Sequence, residues 1–138
     1  MKALVQRVSE ASVAVGGERI AAIGPGLLVL LGVAHEDTPE AADRLARRVL
    51  ALRVFEDANR RLADALGERE LLCVSQFTLL ATTRKGNRPG FTEAARPEHA
   101  EPLYERFCTT SGAHRGRFGA KMEVALVNDG PLTLMLES

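Results

Sequence analysis

Tryptophan is absent from this 138-residue chain and tyrosine occurs once. Five phenylalanines complete an aromatic complement too sparse for a platform on which successive nucleic-acid bases could stack. Of the two cysteines, Cys73 lies in an apolar strand-like run and Cys108 in a helix-like one. They lack metal-ligand spacing and read as small buried hydrophobes. His35, His99 and His114 stand singly, which leaves no zinc pattern. Net charge is also missing, because 18 Lys and Arg balance 18 Asp and Glu. That balance excludes a coat for long nucleic acid, which must neutralise many phosphates, and permits a protein that grips only a terminus. The longest apolar run, GLLVLLGVA from 26 to 34, falls far short of the roughly 20 residues a membrane helix needs. Near the N-terminus there is a charged Lys2 and no signal-peptide apolar region. The expectation is one cytoplasmic domain over residues 1–138, with no membrane contact, no metal and no cofactor.

The first third reads as strands: Lys2 to Val8, Ser12 to Val15, a Gly16-Gly17 hairpin signal, then Glu18 to Ile23. After Gly24-Pro25-Gly26, the run Leu27 to Val33 is apolar except at Gly32, as in a central strand covered on both faces. Thr38-Pro39-Glu40 starts a helix, with Thr38 as N-cap and Pro39 at the first helical position. Ala42, Leu45, Ala46, Val49 and Leu52 then share one face. Arg53 to Phe55 has the composition of a short strand, and Glu56 to Arg69 is polar with no clear form. Leu71 to Leu80 reads as an apolar strand interrupted by Ser75, Gln76 and Thr78. Residues 81–96 read as a long ordered loop. A second helix is expected from Pro97 to about Thr110, either beginning near Glu101 or kinked by Pro102. Residues 112–119 read as loop, and Lys121 to Val127 and Leu132 to Glu137 as the last two strands. Many strands with two helices point to two packed sheets with the helices on one outer face.

Three stretches stand out. Asn128-Asp129-Gly130-Pro131-Leu132-Thr133 lies between two alternating apolar runs and has the residues of a hairpin turn. It is also a place where a ligand could approach the Gly130 backbone closely, with Pro131 stiffening the carbonyls that face it. Ser75-Gln76-Phe77-Thr78 puts an amide and two hydroxyls into an apolar run, where an unpaired amide would cost on the order of 1–3 kcal/mol. Either the strand reaches a sheet edge there, or its end delivers polar groups and backbone N–H groups to an acyl-transfer pocket. No Ser-His-Asp or Cys-His signature accompanies it, so Thr78 is a weak nucleophile candidate. Finally, Arg84-Lys85-Gly86-Asn87-Arg88-Pro89 is either a solvated basic loop or a phosphate site beside that pocket.

Over nearly its whole length the sequence resembles the D-aminoacyl-tRNA deacylases, also called D-tyrosyl-tRNA deacylases. The resemblance is carried by MKALVQRVSEASV at the N-terminus, GLLVLLGV, LRVFED at 52 to 57, SQFTL at 75 to 79, KGNRPGF at 85 to 91, AEPLYERF at 100 to 107, GRFGAKM at 116 to 122 and LVNDGPLT at 126 to 133. It implies an α/β fold, a single-domain three-layer ββα sandwich, and a homodimer with active sites at the subunit interface. The implied activity is hydrolysis of the ester joining a D-amino acid, and glycine charged onto the wrong tRNA, to the terminal adenosine. In the family the bond matching Gly130-Pro131 is cis and enters the partner's pocket, where its backbone excludes the side chain of an L-amino acid.

Gln76, Phe77 and Thr78 are the implied catalytic positions, through backbone that orients the ester while a hydroxyl of the substrate's ribose assists. Covalent attack by Thr78 is the competing chemistry, but no neighbouring base is available to activate it. Ser75, Arg88, Asn128, Gly130, Pro131 and Arg7 are the implied substrate-binding positions, with Arg7 holding the Gly-Pro segment. Departures from the family pattern are Gly90 for a usual Ser, Leu80 for a Tyr, Lys121 for an acidic residue, and a shortened segment between Phe107 and Gly116. The competing class is a non-catalytic module that binds tRNA ends. A general esterase would need a nucleophile elbow, which is missing.

Overall fold

The computed structural model describes residues 1–138, and its longest continuous pairing belongs to the first strand. β1 (Lys2–Val15) is one strand where the sequence reads as two. Its first half pairs antiparallel with β3 (Gly26–Gly32) and its second half with β2 (Glu18–Ile23), across the expected Gly16-Gly17 turn. Its other edge is covered along its length by β8 (Glu123–Glu137). The register against β8 slips between Val8 and Glu10. Such a bulge reverses which residues face which way. Ala3 and Val5 therefore join the core under the helices, whereas Val8, Ala11 and Val13 join a second core on the opposite face.

β3 carries both cores. Its Leu27, Val29 and Leu31 face the helices, and Leu28 faces the second cluster, as expected for a central strand. β6 (Glu70–Ser75) runs parallel to β3, and the two-residue β7 (His114–Arg115), inside the stretch expected to be loop, runs parallel to β6. Two residues are too few for any alternation to show in sequence. The result is one mixed six-stranded sheet, ordered β2-β1-β3-β6-β7 with β8 on β1. It curls so that Ile20, Ala21 and Ile23 of β2 pack in one cluster with Leu72 and Val74 of β6, two strands that are not hydrogen-bonded neighbours. The two expected sheets are thus joined through β1. A small ribbon, β4 (Phe55–Glu56) and β5 (Leu62–Asp64), stands apart from the sheet.

Both helices lie on the same face. α1 (Pro39–Ala51) starts as the sequence indicates, with Thr38 Oγ1 accepting from Ala41 N at 3.2 Å, and it buries Ala42, Leu45, Ala46 and Val49. α2 (Pro97–Ser111) begins at Pro97, not at Glu101, and contains Pro102. That proline sits in the second turn on an exposed face, where one lost N–H bond is tolerated. Gly112, in the left-handed conformation with φ 71°, ends the helix as Ala113 N donates to Cys108 O at 3.0 Å.

The helices are joined by Asp43, which accepts from Arg106 Nε and Nη2 and from Thr110 Oγ1, each at 2.8 Å. The Arg106 and Thr110 hydrogen bonds hold the Asp43 carboxyl at about 2, below the usual 3.8. A carboxylate with a depressed folded pKa contributes stability above its unfolded pKa and loses it as pH falls through the folded value. Asp43→Asn should therefore melt below wild type at pH 7. The gap should stay constant down to about pH 4 and close toward pH 2. Thermal melts of both proteins across that range check this, and a gap independent of pH would contradict it.

Candidate active site

The apolar run into the Ser-Gln-Phe-Thr segment does not continue as a strand. β6 stops at Ser75, and Phe77–Leu80 forms a single 3-10 turn with Gln76 at its head. Gln76 N still reaches back to β3, donating to Leu31 O at 2.8 Å. The turn packs on Gly32, where a Cβ would lie 3.0 Å from Gln76 O and 2.5 Å from Leu80 Cδ2. Leu80 is buried in that contact, and Phe77 and Thr78 are exposed. The Gln76 amide is half-buried and donates to Thr78 Oγ1. The amide that a buried strand would have to satisfy is thus at a rim, paired two residues away. The first two N–H groups of the turn, on Phe77 and Thr78, have no backbone acceptor, as at the start of any helical turn.

This strand end opens on a cleft of about 580 Å³. Ser75, Gln76 and Phe77 form one side, Ala94 to Pro97 and Ala100 a second, and Phe118 to Ala120 with Met122 and Val124 a third. Most of the lining is apolar. Phe91 also lines the cleft, its exposed ring edge-on to Phe77 at 5.0 Å. Tyr104 forms part of the wall beside Phe118 at 5.8 Å, and its hydroxyl donates to Cys73 O at 2.7 Å. Burial pushes the Tyr104 phenol far above its usual pKa, so it remains a donor and not an acid. Phe91, Phe118 and Met122 carry no individual mark in the sequence. Their signal was the KGNRPGF and GRFGAKM segments, which only the family resemblance singled out.

The Gly-Pro stretch lies elsewhere. None of Arg7, Asn128, Gly130 or Pro131 lines the cleft. The expected hairpin is a bulge: Asn128 pairs with Val8 and Thr133 with Gln6, so β8 advances five residues while β1 advances two. A hairpin would bring the flanking segments against each other, but here both pair with β1 and the chain does not reverse. The surplus residues protrude, with the Gly130-Pro131 bond cis and Gly130 at φ 117°.

Asn128 braces the protrusion from within, its Nδ2 donating to Arg7 O at 2.9 Å and Leu132 O at 3.1 Å. Thr133 Oγ1 donates to Asn128 Oδ1 at 3.1 Å. Arg7 braces it from below. The buried guanidinium donates from Nε to Asp129 O at 3.2 Å and from Nη1 to Val54 O at 2.7 Å.

The basic loop is pinched shut by Thr82 and Gly90, which exchange two backbone hydrogen bonds of 2.8 Å. A Cβ on Gly90 would meet Thr82 Cγ2 at 3.5 Å, an ordinary contact, so glycine is not required by the bridge. Arg84, Lys85 and Arg88 are exposed between these anchors and make no ion pair in the chain. Lys121 is also exposed.

Fold and cleft together define a class: a two-helix α/β protein with a curled mixed sheet, whose apolar cleft opens beside a strand end carrying free N–H groups. Comparison with known proteins narrows it. The sequence model of the family described as D-Tyr-tRNA(Tyr) deacylase matches residues 4–137. A D-aminoacyl-tRNA deacylase of Opitutus terrae is 55% identical over 146 residues, covering 100% of this chain and 97% of the relative. One of Symbiobacterium thermophilum is 54% identical over 147 residues, covering 100% and 96%. The solved structure of the c-Myc DNA Unwinding Element Binding Protein is similar at a TM-score of 0.93, with 46% identity over 100% of this chain and 99% of that one. The chain belongs to the D-aminoacyl-tRNA deacylase family, whose members are ester hydrolases.

Proposed function

We propose that this protein hydrolyses the ester of D-aminoacyl-tRNA, and of glycine mischarged onto tRNA, in the cytoplasm, and that it rejects L-aminoacyl-tRNA by shape. One observation carries the reading. The Ser75–Thr78 segment leaves its strand at the mouth of an apolar cleft with the Phe77 and Thr78 N–H groups unpaired. N–H groups aimed at an ester carbonyl stabilise the oxyanion that forms as water attacks. The cleft has the size and apolar lining suited to the terminal adenosine, and Arg88 with its basic neighbours suits a nearby phosphate.

Thr78 is not the nucleophile in this reading. Its hydroxyl accepts from the Gln76 amide, and no His, Asp or Glu hydrogen-bonds it. A ribose hydroxyl of the substrate therefore supplies the assistance that the protein side chains do not.

A second copy of the chain completes the site. The braced Gly130-Pro131 protrusion is exposed and outside its own cleft, so it acts in the cleft of a partner in a homodimer. β8 supports this, because it pairs only with β1 and exposes Val127, Leu134 and Met135. The ββα layering follows the two cores, with helices over one half of the curled sheet and the other half folded beneath it.

The test measures amino acid release from D-Tyr-tRNA and L-Tyr-tRNA by wild type and Thr78→Ala. Wild type should favour the D substrate by about a hundredfold or more, the equivalent of roughly 3 kcal/mol of clash. Thr78→Ala should stay within about tenfold of wild type, the worth of one hydrogen bond. Equal rates on the two enantiomers would refute selection by shape. A loss beyond about a thousandfold with tRNA binding intact would make Thr78 a covalent nucleophile. Salt-dependent binding of uncharged tRNA without any release would favour a binding module instead, a reading to which the DNA-binding name of the 46%-identical structure lends some weight.

A further inference from the structure

The excursion between α1 and β6 carries none of the residues on which the proposed function rests, yet it is held firmly in shape. Arg53 Nε donates to Ala63 O at 2.6 Å. Asp57 Oδ1 accepts from Asn59 N at 2.8 Å and from Arg61 N at 3.0 Å. Arg69 lies over the Phe55 ring at 4.1 Å while donating to Ala65 O and Leu66 O. Polar side-chain contacts link this segment to the rest of the chain through one residue only, Arg7.

Phe55 is drawn into the helix-side core, so the next side chain of β4 emerges on the other face. That side chain is Glu56, whose Oε1 lies 3.8 Å from Arg7 Nη2. The same nitrogen abuts the protruding loop, since a Cβ built on Gly130 would meet Arg7 Nη2 at 2.6 Å. Nη2 is therefore the part of Arg7 that lies between Glu56 on one side and the Gly130 backbone on the other.

The Arg7 side chain is only 7% exposed, and a buried guanidinium depends on its counter-charges. It has two: Asp129 Oδ2 at 3.2 Å and Glu56. Asp129 belongs to the loop itself, so it can move with Arg7 and cannot fix its position. Glu56 is the only carboxylate that holds Arg7 from outside the loop.

We propose that Glu56 is a positioning residue for stereochemical selection. Its carboxylate fixes Arg7 Nη2 relative to the β4–β5 ribbon, and Nη2 in turn sets where the Gly130-Pro131 backbone stands. The inference rests on the reading of that loop as the wall that excludes L side chains. Without the charge, Arg7 stays tethered through Nη1 to Val54 O, but Nη2 loses its partner outside the loop, so the guanidinium can pivot toward Asp129 and the wall shifts with it. A D substrate does not lean on the wall, so its turnover depends less on the wall's position than L rejection does.

The experiment compares kcat and KM for D-Tyr-tRNA and L-Tyr-tRNA in wild type and in Glu56→Gln, a near-isosteric change at a site 46% exposed. The ratio of L to D turnover should rise about two- to fivefold, as far as a half-exposed ion pair allows. The change should appear in kcat for the L substrate, with KM for both tRNAs and the melting temperature unaltered. Glu56→Asp, which keeps the charge, should recover part of the selectivity.

A Glu56→Gln ratio equal to wild type, while Gly130→Ala alters it, would overturn the role of Glu56 and leave the loop reading standing. So would a lowered melting temperature with both rates falling in proportion, the mark of a purely structural contact. Equal wild-type rates on the two enantiomers would instead remove the loop reading beneath it.

Discussion

Gly130→Ala should reduce the preference for D-Tyr-tRNA over L-Tyr-tRNA by about tenfold or more, the largest selectivity change expected from one methyl group in this chain. Two independent causes act together. Gly130 has φ 117°, a conformation that L residues rarely adopt and that costs them roughly 1–3 kcal/mol. The new Cβ would also lie 2.6 Å from Arg7 Nη2. Arg7 cannot swing clear without giving up Val54 O and Asp129 O. The backbone must yield instead, and with it the surface proposed to exclude L side chains. Rates on both enantiomers measure the effect directly. A variant with wild-type selectivity would show that the protrusion plays no part in discrimination.

The second large effect is expected from Gly32→Ala, on the far side of the site. Here the backbone is ordinary and the cause is close approach alone. The added Cβ would meet Leu80 Cδ2 at 2.5 Å, Gln76 O at 3.0 Å and Leu79 Cβ at 3.2 Å. Leu80 can rotate, but Gln76 O is backbone and heads the turn that carries the Phe77 and Thr78 N–H groups. Displacing such groups by about 1 Å can cost on the order of a hundredfold in rate. Deacylation of D-Tyr-tRNA should therefore slow by about that factor through kcat, with the D-to-L ratio preserved. The two variants should thus separate the proposed functions, Gly32→Ala lowering rate and Gly130→Ala lowering selectivity. Wild-type kcat in Gly32→Ala would mean that the turn does not orient the ester.

How much of this was legible in advance differs from element to element. α1 was readable from its cap to its buried face, because Thr38, Pro39 and the spacing of Ala42, Leu45, Ala46 and Val49 act within a few residues of one another. The covered central strand and the Gly16-Gly17 turn were readable for the same reason. β1 reads as two strands in sequence, since a bulge differs from a break only in what the neighbouring strand does. The Asn128–Thr133 stretch shows the same limit. Its composition suits a hairpin turn and a protruding bulge equally, and the pairing of both flanks with β1 selects the bulge.

For the site, the residues by themselves marked Ser75–Thr78 as out of place in an apolar run and Gly130-Pro131 as special. They could not say that the first is a turn at a cleft or that the second stands outside it. Nor do they single out Glu56, which opens a polar segment of no clear form, as a partner of Arg7.

The sequence by itself determined the balanced charge, the α/β composition, the capped helix, the covered central strand and, through its motifs, the family. All of these rest on local conformational preference, on periodicity or on residue identity, which near neighbours encode. Only the tertiary structure decided that one curled sheet replaces two, that the strand end from Ser75 to Phe77 lines a cleft, and that Arg7 ties the Gly130-Pro131 protrusion to the segment of the β4–β5 ribbon. Each of these depends on partners far apart in the chain, such as Arg7 with Asp129 and Gly32 with Gln76. Such partners meet only once strand register is set, and register is a property of the whole sheet.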